Sequence, residues 1–170
     1  MSRDLLFLSV RPGGAISPIR QIGAVRVTPG EWIARETWLV DIVRPSIRDD
    51  PEAQQNAFVQ AWWPIERAFR DCTPAGHDVH QTLKLLGREM PTAWSWPHSL
   101  TPALCTRSLS WPLSVDWVPN LELSTLRLAL ELGPKPGDAL ADARTAMELA
   151  RWVIRWARAD ALLGRSTVAF

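Results

Sequence analysis

Apolar residues first gather at Leu5-Leu6-Phe7-Leu8-Ser9-Val10, a run without alternation that stops at Arg11-Pro12-Gly13-Gly14. A run too short for a helix and bounded by turn formers predicts a strand buried on both faces. Two β-rich stretches, Ile19 to Val27 and Glu31 to Val43, flank Thr28-Pro29-Gly30. The Pro-Gly turn signal between them predicts a hairpin added beside the first strand.

The periodicity then changes from strand-like to helical. Asp50-Pro51-Glu52 has the order of a helix start, and Phe58, Trp62, Ile65 and Phe69 recur at helical spacing, with Pro64 as an expected bend. Val79 to Leu86 predicts a second helix ended by Gly87, and Ala103 to Thr106 a short strand after the Pro- and Trp-rich stretch from Pro91 to Pro102. Leu121 to Leu132, stopped by Gly133-Pro134, and the Ala-rich Asp138 to Leu163, capped by Gly164, predict two closing helices. Strands first, then helices interrupted by a late strand, in the order β-β-β-α-α-β-α-α, argue for an α/β sheet covered by helices. No repeat or linker divides residues 1–170, so one domain is expected.

Composition narrows the class without choosing a function. With 46% hydrophobic and 22% charged residues the chain is of ordinary globular make-up, and a net charge of +1 gives no whole-molecule pull on a polyanion. Any nucleic-acid affinity must therefore be local. Cys72 and Cys105 lack zinc-ligand spacing and are expected to be reduced and buried. No apolar run is long enough to cross a membrane and no cleavable leader is legible, so a cytoplasmic protein without membrane contact is expected.

Leu104-Cys105-Thr106-Arg107-Ser108-Leu109, the segment Leu121 to Trp152 with its core Asp138-Ala139-Leu140-Ala141-Asp142-Ala143-Arg144, and Ile22-Gly23-Ala24-Val25 carry a resemblance. In order and spacing they resemble the DEDDh branch of the 3′-to-5′ exonucleases, the family of the polymerase proofreading subunit, over about Leu5 to Ile154. The resemblance implies an α/β fold, a ribonuclease H-like mixed sheet with an N-terminal three-stranded β portion, flanked by helices. It also implies a chemistry in which two divalent cations about 4 Å apart hold the attacking water and the leaving oxygen. Four carboxylates and a general-base His serve that centre in the family, because hard cations demand oxygen ligands.

Carried over residue by residue, the pattern is largely lost. The acidic pair of the first strand falls on Ser9 and Arg11, the central-helix Asp on Thr82 at the end of His77-Asp78-Val79-His80-Gln81-Thr82, and the His on Gly137. Only Asp142 keeps its carboxylate. Arg11 is the most consequential departure, since a guanidinium cannot be deprotonated and stands where the resemblance places a cation. No metal is expected on this reading, and an ion pair between Arg11 and Asp142 is expected in its place.

Two further groups of residues suggest binding. Trp94 and Trp96, in a Pro-bounded stretch, offer faces for base stacking or a protein contact, whereas Trp62, Trp63, Trp152 and Trp156 read as core or half-buried anchors. Arg144, Arg151, Arg155 and Arg158 fall on one side of the last helix, opposite Ala143, Ala150, Ile154 and Ala157, either as a solvated face or as a phosphate-tracking one. The sequence leaves three readings open. The first is a catalytically inactive exonuclease-like module for single-stranded nucleic acid or a protein partner. The second is an active Mg- or Mn-dependent exonuclease whose site is rebuilt from Asp78, Asp138 and Asp142 with His77 or His80 as base. The third is a purely structural assembly subunit.

Overall fold

The computed structural model describes residues 3–12, 18–44, 50–91, 102–114, 118–133 and 137–162. Strands β1 (Leu5–Pro12), β2 (Ile19–Val27) and β3 (Ala34–Asp41) form an antiparallel meander. Helix α1 (Pro51–Asp71) follows, then β4 (Thr73–Gly76), α2 (Val79–Glu89), β5 (Leu104–Cys105), the short α3 (Thr106–Leu109), a 3-10 turn (Trp111–Ser114), α4 (Leu123–Ala129) and α5 (Ala139–Leu162). β4 and β5 extend the sheet in parallel, giving the mixed order β3-β2-β1-β4-β5.

β1 is the central strand and is buried on both faces, as the unbroken apolar run predicts. Leu6 and Leu8 point into a core built with α1 and α2, where Phe58, Trp62, Ile65 and Leu86 are fully buried. Phe7 points to the other face, against Ala143, Ala146 and Ala150 of α5. Alternation along β1 therefore sends Ser9 and Arg11 toward the α5 side. The small residues of α5 let it lie close to the sheet. At Gly23 of β2 an added Cβ would stand 2.1 Å from the Ala139 carbonyl carbon, so only glycine admits the start of α5 there. Gln21 Oε1 accepts from the Ala139 amide at 2.7 Å and holds that start in place.

Several boundaries differ from the sequence pattern for local reasons. β1 runs past Val10 through Arg11 and Pro12, with an irregularity in its pairing to β2 at that point. β3 begins at Ala34 rather than Glu31, because Trp32 takes a left-handed conformation (φ 57°) and its amide turns back to the Thr28 carbonyl. α2 continues through Gly87 to Glu89, whose carboxylate is tied to the Ile19 amide (3.0 Å) and the Arg44 guanidinium (2.8 Å). The late strand is only Leu104–Cys105, since Thr106 already starts α3, and the predicted Leu121–Leu132 helix is confined to Leu123–Ala129 before Glu131 and Gly133 take positive φ. β4 was not legible at all: Thr73-Pro74-Ala75-Gly76 has no alternation, and its pairing with Leu5 to Phe7 of β1 makes it a strand.

α1 starts as its sequence indicates, with the Asp50 carboxylate accepting from the Ala53 amide and Pro51 in the first turn, and it extends unbroken past Pro64. Trp62 is buried as expected, but Trp63 is 68% exposed, because one residue along a helix turns the side chain by about 100°. Cys72 is buried and Cys105 only half-buried, and both are free thiols. Trp94, Trp96, Leu163 and Gly164 lie outside the described residues. Among the described residues no helix is long and apolar enough to cross a membrane.

Candidate functional site

At the end of β1 the sheet, α4 and α5 open a cleft of about 300 Å³, lined by Ser9, His77, Asp78, Glu122, Arg127 and Asp142 among others. The Arg11 side chain leaves the α5 side of the strand and meets Asp142 in the first turn of that helix. Its Nη2 and Nε donate to Asp142 Oδ2 at 2.8 and 3.1 Å, and its Nη1 donates to the Gly137 carbonyl at 2.9 Å. The expected Arg11–Asp142 pair is thus present, and one guanidinium bridges the positions where the resemblance puts the general base and the last carboxylate. The two side chains are 40% and 26% exposed, so solvent screening limits the pair's net stabilisation to about 1 kcal/mol or less. Its consequence is chemical: a fixed cation stands on the carboxylate.

Two other acids near the cleft, Asp78 and Asp138, are engaged as well. Asp78 sits just before α2 in a left-handed conformation (φ 52°), and its Oδ2 accepts from Arg107 Nη1 at 2.9 Å. Asp138 precedes α5 and caps it, its Oδ1 accepting from the Ala141 amide at 2.7 Å. Both stand at a helix start, where the Asp78 carbonyl accepts from the Thr82 amide at 3.1 Å and the Asp138 carbonyl from the Asp142 amide at 3.2 Å. Thr82 is buried on α2 and does not line the cleft, and Gly137 takes part only through its carbonyl. Among the described residues no group of three or more His, Cys, Asp or Glu is arranged to hold a metal ion. This donor set does not fit a two-cation centre.

His77 is a hydrogen-bonded structural group. Its Nε2 lies 2.8 Å from the Leu121 carbonyl and must donate to it, which leaves Nδ1 to accept from Thr106 Oγ1 at 3.1 Å. Burial pushes its pKa below the usual 6.5, outweighing the raising effect of the neighbouring Asp78 charge. A base whose folded value is depressed contributes stability that is full above its unfolded value and is lost as pH falls from there toward the folded one. Urea unfolding midpoints are therefore expected to drop between pH 7.5 and 5 by more in the wild type than in His77→Gln. Equal drops would show that protonation of this ring is not opposed by the fold. His80 is exposed on α2, outside the cleft.

Arg144, Arg155 and Arg158 are exposed on α5 and Arg151 is half-buried, so the basic stripe is presented by three residues with the fourth partly covered. None of the four forms an ion pair among the described residues. Trp152 and Trp156 are half-buried and stack on each other at 6.3 Å. Sequence reasoning missed Arg127, whose Nε is buried without a hydrogen-bond partner at the cleft wall. Its only signal was a charged position inside the apolar pattern of α4.

No family model matches this sequence, and no curated protein is significantly similar to it. Solved structures are. Escherichia coli exonuclease I in complex with a dT13 oligonucleotide superposes with a TM-score of 0.66 at 19% identity, over 95% of this chain and 43% of that one. Exonuclease I with bound product gives 0.64 at 19% identity, over 91% and 44%. Exonuclease X in complex with 5′ overhanging duplex DNA gives 0.58 at 16% identity, over 91% and 93%. The chain thus spans less than half the length of the exonuclease I chains and nearly all of exonuclease X. It has the exonuclease-like, ribonuclease H-like fold that the sequence motifs implied.

Proposed function

We propose that this domain is a non-hydrolytic exonuclease-like module that holds single-stranded nucleic acid without a divalent cation. The observation that carries the reading is the Arg11 guanidinium seated on Asp142 and the Gly137 carbonyl. A cation entering there would have to displace a guanidinium and still find carboxylates, while Asp78 and Asp138 are held by Arg107 and the start of α5. The same charge that opposes a metal favours a phosphate, because arginine presents donors in a geometry that matches phosphate oxygens. Arg127 at the cleft wall and the unpaired arginines of α5 add donors of the same kind. The neighbour solved with dT13 supports a strand as the occupant of this fold's cleft.

Incubated with end-labelled single-stranded DNA or RNA and Mg²⁺ or Mn²⁺, the protein is expected to leave strand length unchanged. It should retard the same strands in EDTA, with an affinity that falls as salt rises. Arg155→Glu/Arg158→Glu is expected to flatten the dependence of log K on log salt by about 1.4, the share of two phosphate contacts on a single strand. Shortening of the 3′ end that Asp142→Ala abolishes would overturn the non-hydrolytic reading. Capture of a protein by a domain that binds no oligonucleotide at low salt would replace the strand by a protein partner.

A further inference from the structure

The outer face of α2 holds a feature that the cleft does not explain. His80, Lys84 and Arg88 recur every fourth residue, so they form one row along the helix, with Gly87 beside the last two. The core side of the same helix is Val79, Leu83 and Leu86, so the row faces away from the sheet. Around it the surface sinks into a depression of about 490 Å³ lined by His80, Lys84, Gly87 and Arg88. Its walls are mostly carbon.

Three observations give this groove a ligand chemistry. None of the three side chains forms an ion pair among the described residues. The adjacent carboxylate, Glu89, does not neutralise them, because its oxygens are taken by the Ile19 amide and by Arg44. Finally, Gly87 lines the groove from inside a helix, where glycine is about 1 kcal/mol less favourable than alanine. An apolar floor under unpaired cations suits a group that is flat and apolar on one side and anionic on the other, as a nucleotide unit is.

We propose that this face of α2 is a second strand-binding groove, in which Lys84 and Arg88 hold successive phosphates and a base lies over Gly87. The proposal rests on the strand-binding reading above and extends it to a place. α2 begins directly after Asp78, which lines the cleft, so the row starts two residues from the cleft, at His80, and runs away from it toward Arg88. The occupant is the continuation of the bound strand, and its length decides how much of the groove is filled.

The test compares the wild type with Lys84→Glu/Arg88→Glu and with Gly87→Leu, using poly-dT oligonucleotides of increasing length in EDTA at low salt. The charge variant is expected to bind a long oligonucleotide at least about tenfold more weakly, and to bind a short one that only fills the cleft as the wild type does. Gly87→Leu is expected to melt no lower than the wild type, since leucine favours a helix, and still to lose affinity for the long strand. Unchanged long-strand affinity in the charge variant, with the wild type binding well, would overturn the groove and leave the cleft reading intact. A wild type that binds no strand of any length would overturn both. Equal loss on short and long strands would mean that the charges act at a distance and would also overturn the groove.

Discussion

Trp62→Ala is expected to destabilise the fold by about 3 to 5 kcal/mol, the range for removing a large buried aromatic. Trp62 is fully buried and lies between Phe58, stacked at 6.5 Å, and Phe69, edge-on at 5.4 Å. All three belong to α1, so the cavity would open where that helix meets Leu6 and Leu8 of the central strand, and helix and sheet would loosen together. At roughly 2 to 4 °C per kcal/mol for a chain of this size, the melting temperature should fall by about 6 to 20 °C. Trp63→Ala, one residue along and exposed, is expected to stay within about 0.5 kcal/mol of the wild type. Similar losses in the two variants would mean that α1 does not pack in the described orientation.

The second large effect is expected at Gly23, where the added methyl of alanine would meet backbone rather than a side chain. The nearest atoms, the Ala139 carbonyl carbon and oxygen and the Leu140 amide nitrogen, lie 2.1 to 2.3 Å from the new carbon, so no rotamer change can relieve the contact. α5 must move, at a cost of about 3 kcal/mol or more, the upper part of the range for overpacking. Its displaced first turn carries Asp142, so Gly23→Ala should also separate that carboxylate from Arg11. Gly30→Ala is the comparison: nothing lies within 4 Å of its added carbon, and its cost of about 1 kcal/mol comes from a positive φ alone. Thermal melts of the two variants decide it, and a Gly23→Ala protein as stable as Gly30→Ala would contradict the close approach of α5 to β2.

The first of these effects sits where the sequence is most readable. The Phe58, Trp62, Ile65, Phe69 spacing and the Asp50-Pro51 start made α1 legible, because helix propagation and capping are local properties. The strand run at Leu5 and the Ala-rich α5 were legible for the same reason. Nothing local marks Thr73-Pro74-Ala75-Gly76 as a strand. Its conformation comes from pairing with β1, and at Gly76 an added Cβ would stand 2.6 Å from the Leu8 carbonyl oxygen. The site divides in the same way. Arg11 and Asp142 could be set side by side because the resemblance gives both positions to one centre, although they are 131 residues apart in sequence. Arg127 could not, because its approach to the cleft depends on how α4 packs against α5, and a single charged residue in an apolar pattern reads equally well as solvated. Thr82 stands at a family position and Asp138 in the alternative rebuilt site, but the first is buried on α2 and the second caps α5.

The central claim is that a guanidinium, and not a metal, partners Asp142. Titration of the purified wild-type protein with Mn²⁺, followed by water proton relaxation, tests it without reference to any substrate. Only weak, non-saturating uptake up to about 1 mM is expected, because a hard cation needs several oxygen ligands, while Asp142, Asp78 and Asp138 are held by Arg11, Arg107 and the start of α5. Stoichiometric uptake of one or two ions below about 0.1 mM, abolished in Asp142→Asn, would contradict it, since carboxylates free to bind at that affinity are not the paired ones described here.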